Sequence, residues 1–141
     1  MIQDNYEKLK LQYPKSIIII KAGNFYECIN DDAIIMNNIF KYKIRKFSKY
    51  IRLGFPILSL NKVTGILTKL EINYIIVEDG SFKKEKFKHN NYNEYSDKII
   101  DYKWAEEKIE YINRKLKDNI TNSNIVYILN EMEKILCKIN F

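Results

Sequence analysis

The sequence predicts an α/β (α+β) fold in which helices cover a mixed β-sheet, followed by a C-terminal helical hairpin. Two observations predict this fold. Through the first 80 residues, short β-branched apolar runs alternate with segments whose apolar residues recur at helical spacing. After residue 95, apolar residues recur at helical spacing alone, in two stripes separated by a polar turn. A hydrophobic fraction of 46% over 141 residues is enough for a packed core.

The N-terminal elements follow from local patterns. Residues 4–13 carry apolar side chains at helical spacing, and Pro14 ends this predicted helix. Residues 16–21 are β-branched and apolar, which is typical of a strand buried on both faces. Residues 22–24 form the predicted turn and residues 25–29 the next strand.

The remaining elements of this half alternate between helix and strand. In chain order they are a helix capped by Asn30 or Asp31, a strand over 42–45 with a cationic outer face, a turn at 48–49, a strand over 50–53, a break at 54–56, a helix over 60–70 and a buried strand over 73–78.

The chain is predicted to divide into three parts. Residues 1–80 form the α/β domain, and the polar, Lys/Asn-rich residues 81–95 form a connector. Residues 96–141 form the hairpin, which packs on the domain or on a partner, and residues 118–124 form its turn.

The positive charge of the chain is local. The net charge is +6, and residues 41–70 contain eight basic residues and no acidic one, whereas residues 81–141 contain twelve basic and ten acidic residues. Such a patch is compatible with a nucleic-acid partner, although a solvated face of a lysine-rich protein is an equally simple interpretation.

Cysteine and histidine content gives no sign of a metal or disulfide framework. Cys28 and Cys137 are far apart in sequence, and His89 is the one histidine. We therefore expect no metal and no cofactor, and a reducing, cytoplasmic environment. The longest apolar run is too short to span a bilayer, so no membrane association is expected.

Phe25 and Glu27 place an aromatic ring and a carboxylate two residues apart on a predicted strand, so both project from the same face. An aromatic ring can wedge into a base step, and a carboxylate beside it can hydrogen-bond a base. The alternatives are that Phe25 is a buried core aromatic and that Glu27 is a solvated strand residue.

Residues 3–80 contain a series of motifs in a fixed order: Leu-Gln-Tyr-Pro at 11–14, the aliphatic strand, Gly-Asn-Phe-Tyr-Glu at 23–27, Asp-Asp-Ala at 31–33, Gly-Phe-Pro at 54–56, and the helix and strand ending at Gly80. In this order they resemble the amino-terminal mismatch-recognition domain of the MutS DNA mismatch-repair family. The family reads Gly-Asp-Phe-Tyr-Glu where this chain has Asn24.

The resemblance implies that Phe25 inserts from the minor groove and stacks on a mispaired base, while Glu27 shares a proton or hydrogen bond with that base. Double-stranded DNA carrying a mismatch or lesion is the implied partner. Nearby cations are candidates to hold flanking phosphates without reading sequence. These cations are Lys43, Arg45, Lys46, Lys49 and Arg52.

The chain lacks other parts of that family. It contains no Gly-x-x-x-x-Gly-Lys-Ser/Thr motif, so no ATPase activity is expected. No other enzymatic activity is expected either, because the sequence offers no nucleophile–base set, metal cluster or phosphate loop. We expect a stand-alone recognition domain that binds DNA weakly, with other repair proteins as further partners. The alternative is a protein-interaction or dimerisation module that keeps the fold and self-associates through the C-terminal helices.

Overall fold

The computed structural model describes residues 2–139 and contains six strands and six α-helices within that range. In chain order these are α1 (Ile2–Gln12), β1 (Ile17–Ala22), β2 (Phe25–Ile29), α2 (Asn30–Phe40), β3 (Ile44–Lys46), β4 (Ile51–Pro56), a 3-10 turn (Ile57–Ser59), α3 (Leu60–Lys69), β5 (Tyr74–Glu78), β6 (Ser81–Glu85), α4 (Tyr92–Ser96), α5 (Tyr102–Asp118) and α6 (Asn124–Lys138). The predicted fold class, a mixed sheet with helices and two C-terminal helices, is confirmed.

The six strands form one mixed sheet in the order β3-β4-β2-β1-β5-β6. β1 lies inside the sheet, antiparallel to β2 and parallel to β5. The other neighbouring pairs, β2–β4, β3–β4 and β5–β6, are antiparallel. This arrangement explains the isoleucine run, because a strand inside the sheet contacts a core on each face.

Two apolar clusters lie on opposite faces of the sheet. Ile17 and Ile19 belong to a cluster with buried residues of α2 and α3. Ile18 and Ile20 belong to a second cluster with Tyr6 of α1. All four isoleucines are at most 5% exposed. Burying a side chain of this size stabilises the folded state by about 1.5–3 kcal/mol. The four isoleucines of β1 therefore contribute strongly to the stability of the sheet.

The predicted break at 54–56 is wrong. β4 continues through Gly54 and Phe55 to Pro56, and Phe55 is fully buried. β3 pairs with β4 only as far as Leu53, so residues 54–56 of β4 are paired with β2 on one side and with no strand on the other. A proline is tolerated there because its missing N–H deprives no neighbouring strand of a hydrogen bond.

The expected connector over 81–95 also differs from the structure. Residues 81–85 form β6, paired with β5 along its length, and Tyr92 of α4 is buried. The first compact unit therefore continues to Ile99, and the second begins at Ile100. Local polarity was misleading because β6 is an edge strand whose lysines are exposed.

A buried polar cluster joins four elements of the first unit. Lys10 Nζ donates to Asp32 Oδ1 at 2.7 Å, the Tyr92 hydroxyl donates to the same oxygen at 2.8 Å, and the Ile18 N–H donates to Oδ2 at 3.0 Å. Asp32 is fully buried. The predicted cap by Asn30 or Asp31 is wrong, because no side chain caps α2. Asp32 instead ties α1, β1 and α4 to α2.

The second unit consists of α5 and α6, joined by a short segment that begins at Asn119 and ends at Ser123. Asp101 caps α5 by accepting a hydrogen bond from the Trp104 N–H. Ile125 is the one buried side chain among its described residues. Most of the apolar stripe of α6 is exposed, including Ile128, Leu129 and Ile135. None of the helices within residues 2–139 is long and apolar enough to cross a membrane.

Candidate nucleic-acid interface

The strand register places the candidate residues in rows on one face of the sheet, the face that α1 partly covers. One row runs from Arg45 through Arg52 to Ile29, and the next pairs Gly54 with Glu27. The last row pairs Pro56 with Phe25 and Phe25 with Ala22. Opposite residues of adjacent strands share a face, so these side chains form one continuous surface.

Phe25 lies at the uncovered end of this surface. It is 47% exposed, whereas the other four residues of β2 are buried. The turn before it places Gly23 at φ +62°, a left-handed conformation that glycine adopts at little cost. Its cross-strand neighbour Pro56 is also exposed. The core-aromatic interpretation of Phe25 does not describe this position, because much of the ring is accessible to solvent.

Glu27 shares the face with Phe25 but is only 5% exposed. Arg45 Nη2 donates to Glu27 Oε1 at 3.1 Å, and Arg52 Nη1 lies 3.0 Å from Glu27 Oε2. Each carboxylate oxygen thus faces a guanidinium. The solvated-glutamate interpretation is wrong for this residue, and its carboxylate is not presented to solvent beside the aromatic ring.

Gly54 makes the longer of these contacts possible. It lies on β4, directly opposite Glu27, between the strand that carries Arg45 and the strand that carries Glu27. A β-carbon at this position would come within 3.3 Å of Arg45 Nη2 and 3.7 Å of Glu27 Cγ. The absence of a side chain lets the Arg45 guanidinium cross β4 and reach the carboxylate.

The tip of the β3–β4 hairpin is held by aromatic contacts. The rings of Phe47 and Tyr50 stack with centroids 5.0 Å apart, and the Phe47 N–H donates to the Tyr50 carbonyl. The Arg52 guanidinium carbon lies 4.7 Å from the Phe47 ring centroid. Arg52 is therefore fixed between an aromatic face and a carboxylate.

The structure separates the predicted phosphate-binding cations. Arg45 and Arg52 lie on the face of Phe25 and are paired with Glu27. Lys46 is opposite Ile51 and, by strand alternation, projects toward the other face. Lys43 precedes β3 and Lys49 lies in the hairpin tip, and both side chains are exposed. The five cations therefore do not form one patch.

β6 adds residues that sequence reasoning assigned to a connector. Phe82 is opposite Val77 and Lys84 is opposite Ile75, which places both on the face of Phe25. Phe82 is 48% exposed, and Lys84 Nζ lies 5.1 Å from its ring centroid. The available signal was Asp79-Gly80, a two-residue turn typical of β-hairpins, directly after the strand predicted over 73–78.

Burial raises the pKa of two residues of the first unit, Tyr26 and Asp32. Burial, followed by a hydrogen bond to Glu78, raises the pKa of Tyr26 to about 12. Burial also raises the pKa of Asp32, against the opposing effects of Lys10, the Ile18 N–H and the Tyr92 hydroxyl. Within residues 2–139 there is no group of three or more His, Cys, Asp or Glu side chains placed to hold a metal ion.

The fold and this surface define the class of protein, an α+β recognition domain that presents an aromatic ring at a sheet end beside a basic hairpin. Residues 1–128 match the family model of MutS domain I, and the chain belongs to that family. The match extends beyond the motifs over residues 3–80 and includes β6, α4 and α5. MutS domain I is a mismatch-recognition-type domain. No curated protein matches the chain.

Proposed function

We propose that this chain binds double-stranded DNA at a mismatch or other distorted step, as the recognition component of DNA mismatch repair and without ATPase activity of its own. Membership of the MutS domain I family supports this function. The observation that carries the proposal is the 47% exposure of Phe25 at the uncovered end of the sheet, within the motif Gly-Asn-Phe-Tyr-Glu.

Phe25 acts as a wedge that stacks on a base at the distorted step. A mispaired or unpaired step costs less to unstack than a paired step, so an inserted ring selects for deformability rather than for sequence. The other four residues of β2 are buried, which fixes the backbone that carries the ring. The ring can therefore insert into the duplex without a rearrangement of its own strand.

The basic residues of the β3–β4 hairpin supply phosphate contacts along the strands beside β2. Pro56 is the residue opposite Phe25, so the hairpin tip with Lys49 lies at the other end of β4 from the wedge. Lys43 and Lys49 are exposed, and Arg45 retains 52% side-chain exposure despite its ion pair. Contacts of this kind position a duplex without reading sequence. We expect affinity for paired DNA in the non-specific range, about 10⁻⁴–10⁻⁶ M. Other repair proteins would then supply tighter binding and the energy of later steps.

A base-reading role for Glu27 has a further requirement. Its carboxylate would have to leave Arg45 and Arg52 before it could hydrogen-bond a base. The wedge function of Phe25 does not depend on that exchange.

The test compares a short duplex carrying one unpaired base with its fully paired twin, by fluorescence anisotropy. The wild type should prefer the distorted duplex, and Phe25→Ala should bind both duplexes equally. Phe82→Ala is the matched control, because Phe82 is 48% exposed on the same face but three strands away. Equal binding of both duplexes by the wild type would rule out the proposal.

A second candidate function is self-association through α6. The favouring observation is that Leu129, Ile135 and Leu136, which lie at helical spacing, are each at least 46% exposed. Sedimentation of the wild type should then show a dimer that Leu129→Glu dissociates. A monomer at micromolar concentration would remove this candidate.

A further inference from the structure

We propose that β6 and α3 form a peptide-binding groove, in which an extended acidic segment of another protein adds to the sheet as a seventh strand. This binding site is separate from the surface around Phe25, because α3 packs on the opposite face of the sheet. The inference therefore does not depend on the proposed DNA-binding function.

The first observation is that β6 is an exposed edge strand. It pairs with β5 along its whole length, and within residues 2–139 no strand pairs with its other side. Four of its five residues are exposed. The N–H and C=O groups along such an edge can pair with a further extended segment, as in recognition by strand addition.

The turn between β5 and β6 determines which backbone groups point outward. Both turn residues have positive φ, +44° and +80°, as in tight two-residue hairpins. The residues on either side of such a turn, here Glu78 and Ser81, form a hydrogen-bonded pair, and hydrogen-bonded and non-hydrogen-bonded pairs then alternate. The N–H and C=O groups of Phe82 and Lys84 therefore point away from β5 and are available to an added strand.

The second observation is a groove between α3 and β6, directly beside this edge. It holds a cavity of about 320 Å³, a volume within the range of ligand pockets. Its walls include Leu60 and Thr64 of α3, Tyr74, Ile76 and Glu78 of β5, and Lys83 of β6. Alternate side chains of a strand share a face, so every second side chain of an added strand would project toward this cavity.

The third observation is the charge of the edge, which identifies the chemistry of the partner. Residues 81–88 contain four lysines and one glutamate. Lys84 projects from the face opposite the groove, whereas the groove itself contains the carboxylate of Glu78. The peptide that fits this edge therefore alternates acidic side chains, which face Lys84, with apolar side chains, which face the groove.

A second copy of the chain does not complement the same edge. Full antiparallel pairing of β6 with β6 of another copy would place Lys83 opposite Lys83. Like charges directly opposite each other are destabilising, whereas opposite charges stabilise the pair. The lysines thus discourage self-association through β6 and favour an acidic strand.

The first experiment uses the full wild-type chain, so it does not depend on the folding of a variant. The probe is a short fluorescent peptide that alternates glutamate with valine, followed by anisotropy. Two further versions carry N-methyl groups, one on the valine amides and the other on the glutamate amides. Because only every second N–H of an added strand faces β6, one version should bind about ten-fold or more weakly than the parent, and the other should bind within two-fold of it. Equal binding of the two versions would indicate charge attraction alone and would overturn the proposal.

The second experiment tests the groove with a matched pair of variants. Thr64 lines the cavity, whereas Thr68 is exposed one turn further along α3 and is not among the lining residues. Thr64→Tyr should fill the cavity and weaken binding of the parent peptide about five-fold or more, and Thr68→Tyr should change it less than two-fold. Thermal melts check that both variants fold. Equal affinities of the two folded variants would show that the groove takes no part in binding and would overturn its assignment.

Failure of the proposed DNA-binding function gives a different pattern. If the wild type and Phe25→Ala both bind distorted and paired duplexes equally, the wedge is absent. The difference between the two N-methylated peptides does not involve Phe25 and remains a separate measurement of strand addition at β6.

Discussion

At the scale of single residues, neighbours in three dimensions decide what Phe25, Glu27 and Asp32 do. Phe25 and Glu27 share a strand face as their spacing predicts, yet the first is exposed and the second is buried between two arginines. The identity of a residue states what chemistry it offers, and its partners decide whether that chemistry is available to a ligand.

Asp32→Asn should lower the free energy of unfolding by about 3 kcal/mol, because removing one partner of a buried ion pair leaves the other uncompensated. Lys10 would lose its ion-pair partner. The asparagine NH2 group would also face a hydrogen-bond donor at the place where one carboxylate oxygen accepted a hydrogen bond. Urea denaturation measures the change. Asp31→Asn is the control, since Asp31 is exposed at the next position and its loss should cost less than about 1 kcal/mol. Equal losses would show that the buried cluster contributes no special stability.

Alkaline pH should destabilise the first unit through Tyr26. Its pKa is raised from 10.0 to about 12, so between these values the folded state retains a proton that the unfolded state has lost. Stability therefore falls as pH rises through this window, by up to about 1.4 kcal/mol per pH unit for this group. Tyr26→Phe should show a shallower decline between pH 10 and 12 in chemical denaturation. Parallel curves for the two proteins would contradict the assignment.

At the scale of elements, the β3–β4 hairpin combines two kinds of cation. Arg45 and Arg52 are held within the sheet face, whereas Lys43 and Lys49 lie outside the strands and are exposed. The sequence pattern of alternating apolar and basic residues predicted the hairpin and its cationic character. It did not reveal that a glutamate from β2 would occupy both arginines, because that contact joins residues 18 or more positions apart.

Lys49→Gln should weaken the binding of paired DNA and make its salt slope shallower by about 0.9, the contribution of one phosphate contact. Lys62→Gln is the control, because Lys62 is exposed on α3, which packs on the opposite face of the sheet from Phe25. Anisotropy titrations at several salt concentrations measure both variants. A larger effect at Lys62 would place the duplex on the other face.

At the scale of the whole molecule, the limits of the first unit follow from long-range contacts. Residues 81–99 are tied to the rest by β6 and by the asparagines near α4. Asn90 Nδ2 donates to the Lys15 carbonyl, and Asn91 Nδ2 donates to the Leu70 carbonyl. The Asn73 N–H donates to Asn90 Oδ1. An Asn-rich segment that suggested a connector is instead an integral part of the fold.

A fragment of residues 1–99 should unfold cooperatively, whereas a fragment of residues 1–80 should not. The shorter fragment lacks β6, which pairs with β5, and lacks Tyr92, which donates to buried Asp32. Both losses leave polar groups without partners in the core. Thermal melts followed by near-ultraviolet circular dichroism distinguish the two fragments. A cooperative melt of the 1–80 fragment would show that residues 81–99 are dispensable.

The sequence by itself determined the fold class, the approximate position of most strands and helices, and the motif that places Phe25 and Glu27 on one face. These follow from periodicity and turn residues, which act over a few positions along the chain. Tertiary structure decided the membership of β6, the exposure of Phe25 and the burial of Glu27 between Arg45 and Arg52. Those outcomes depend on which strands become neighbours in the sheet, and the free energy of such pairing comes from residues distant in sequence.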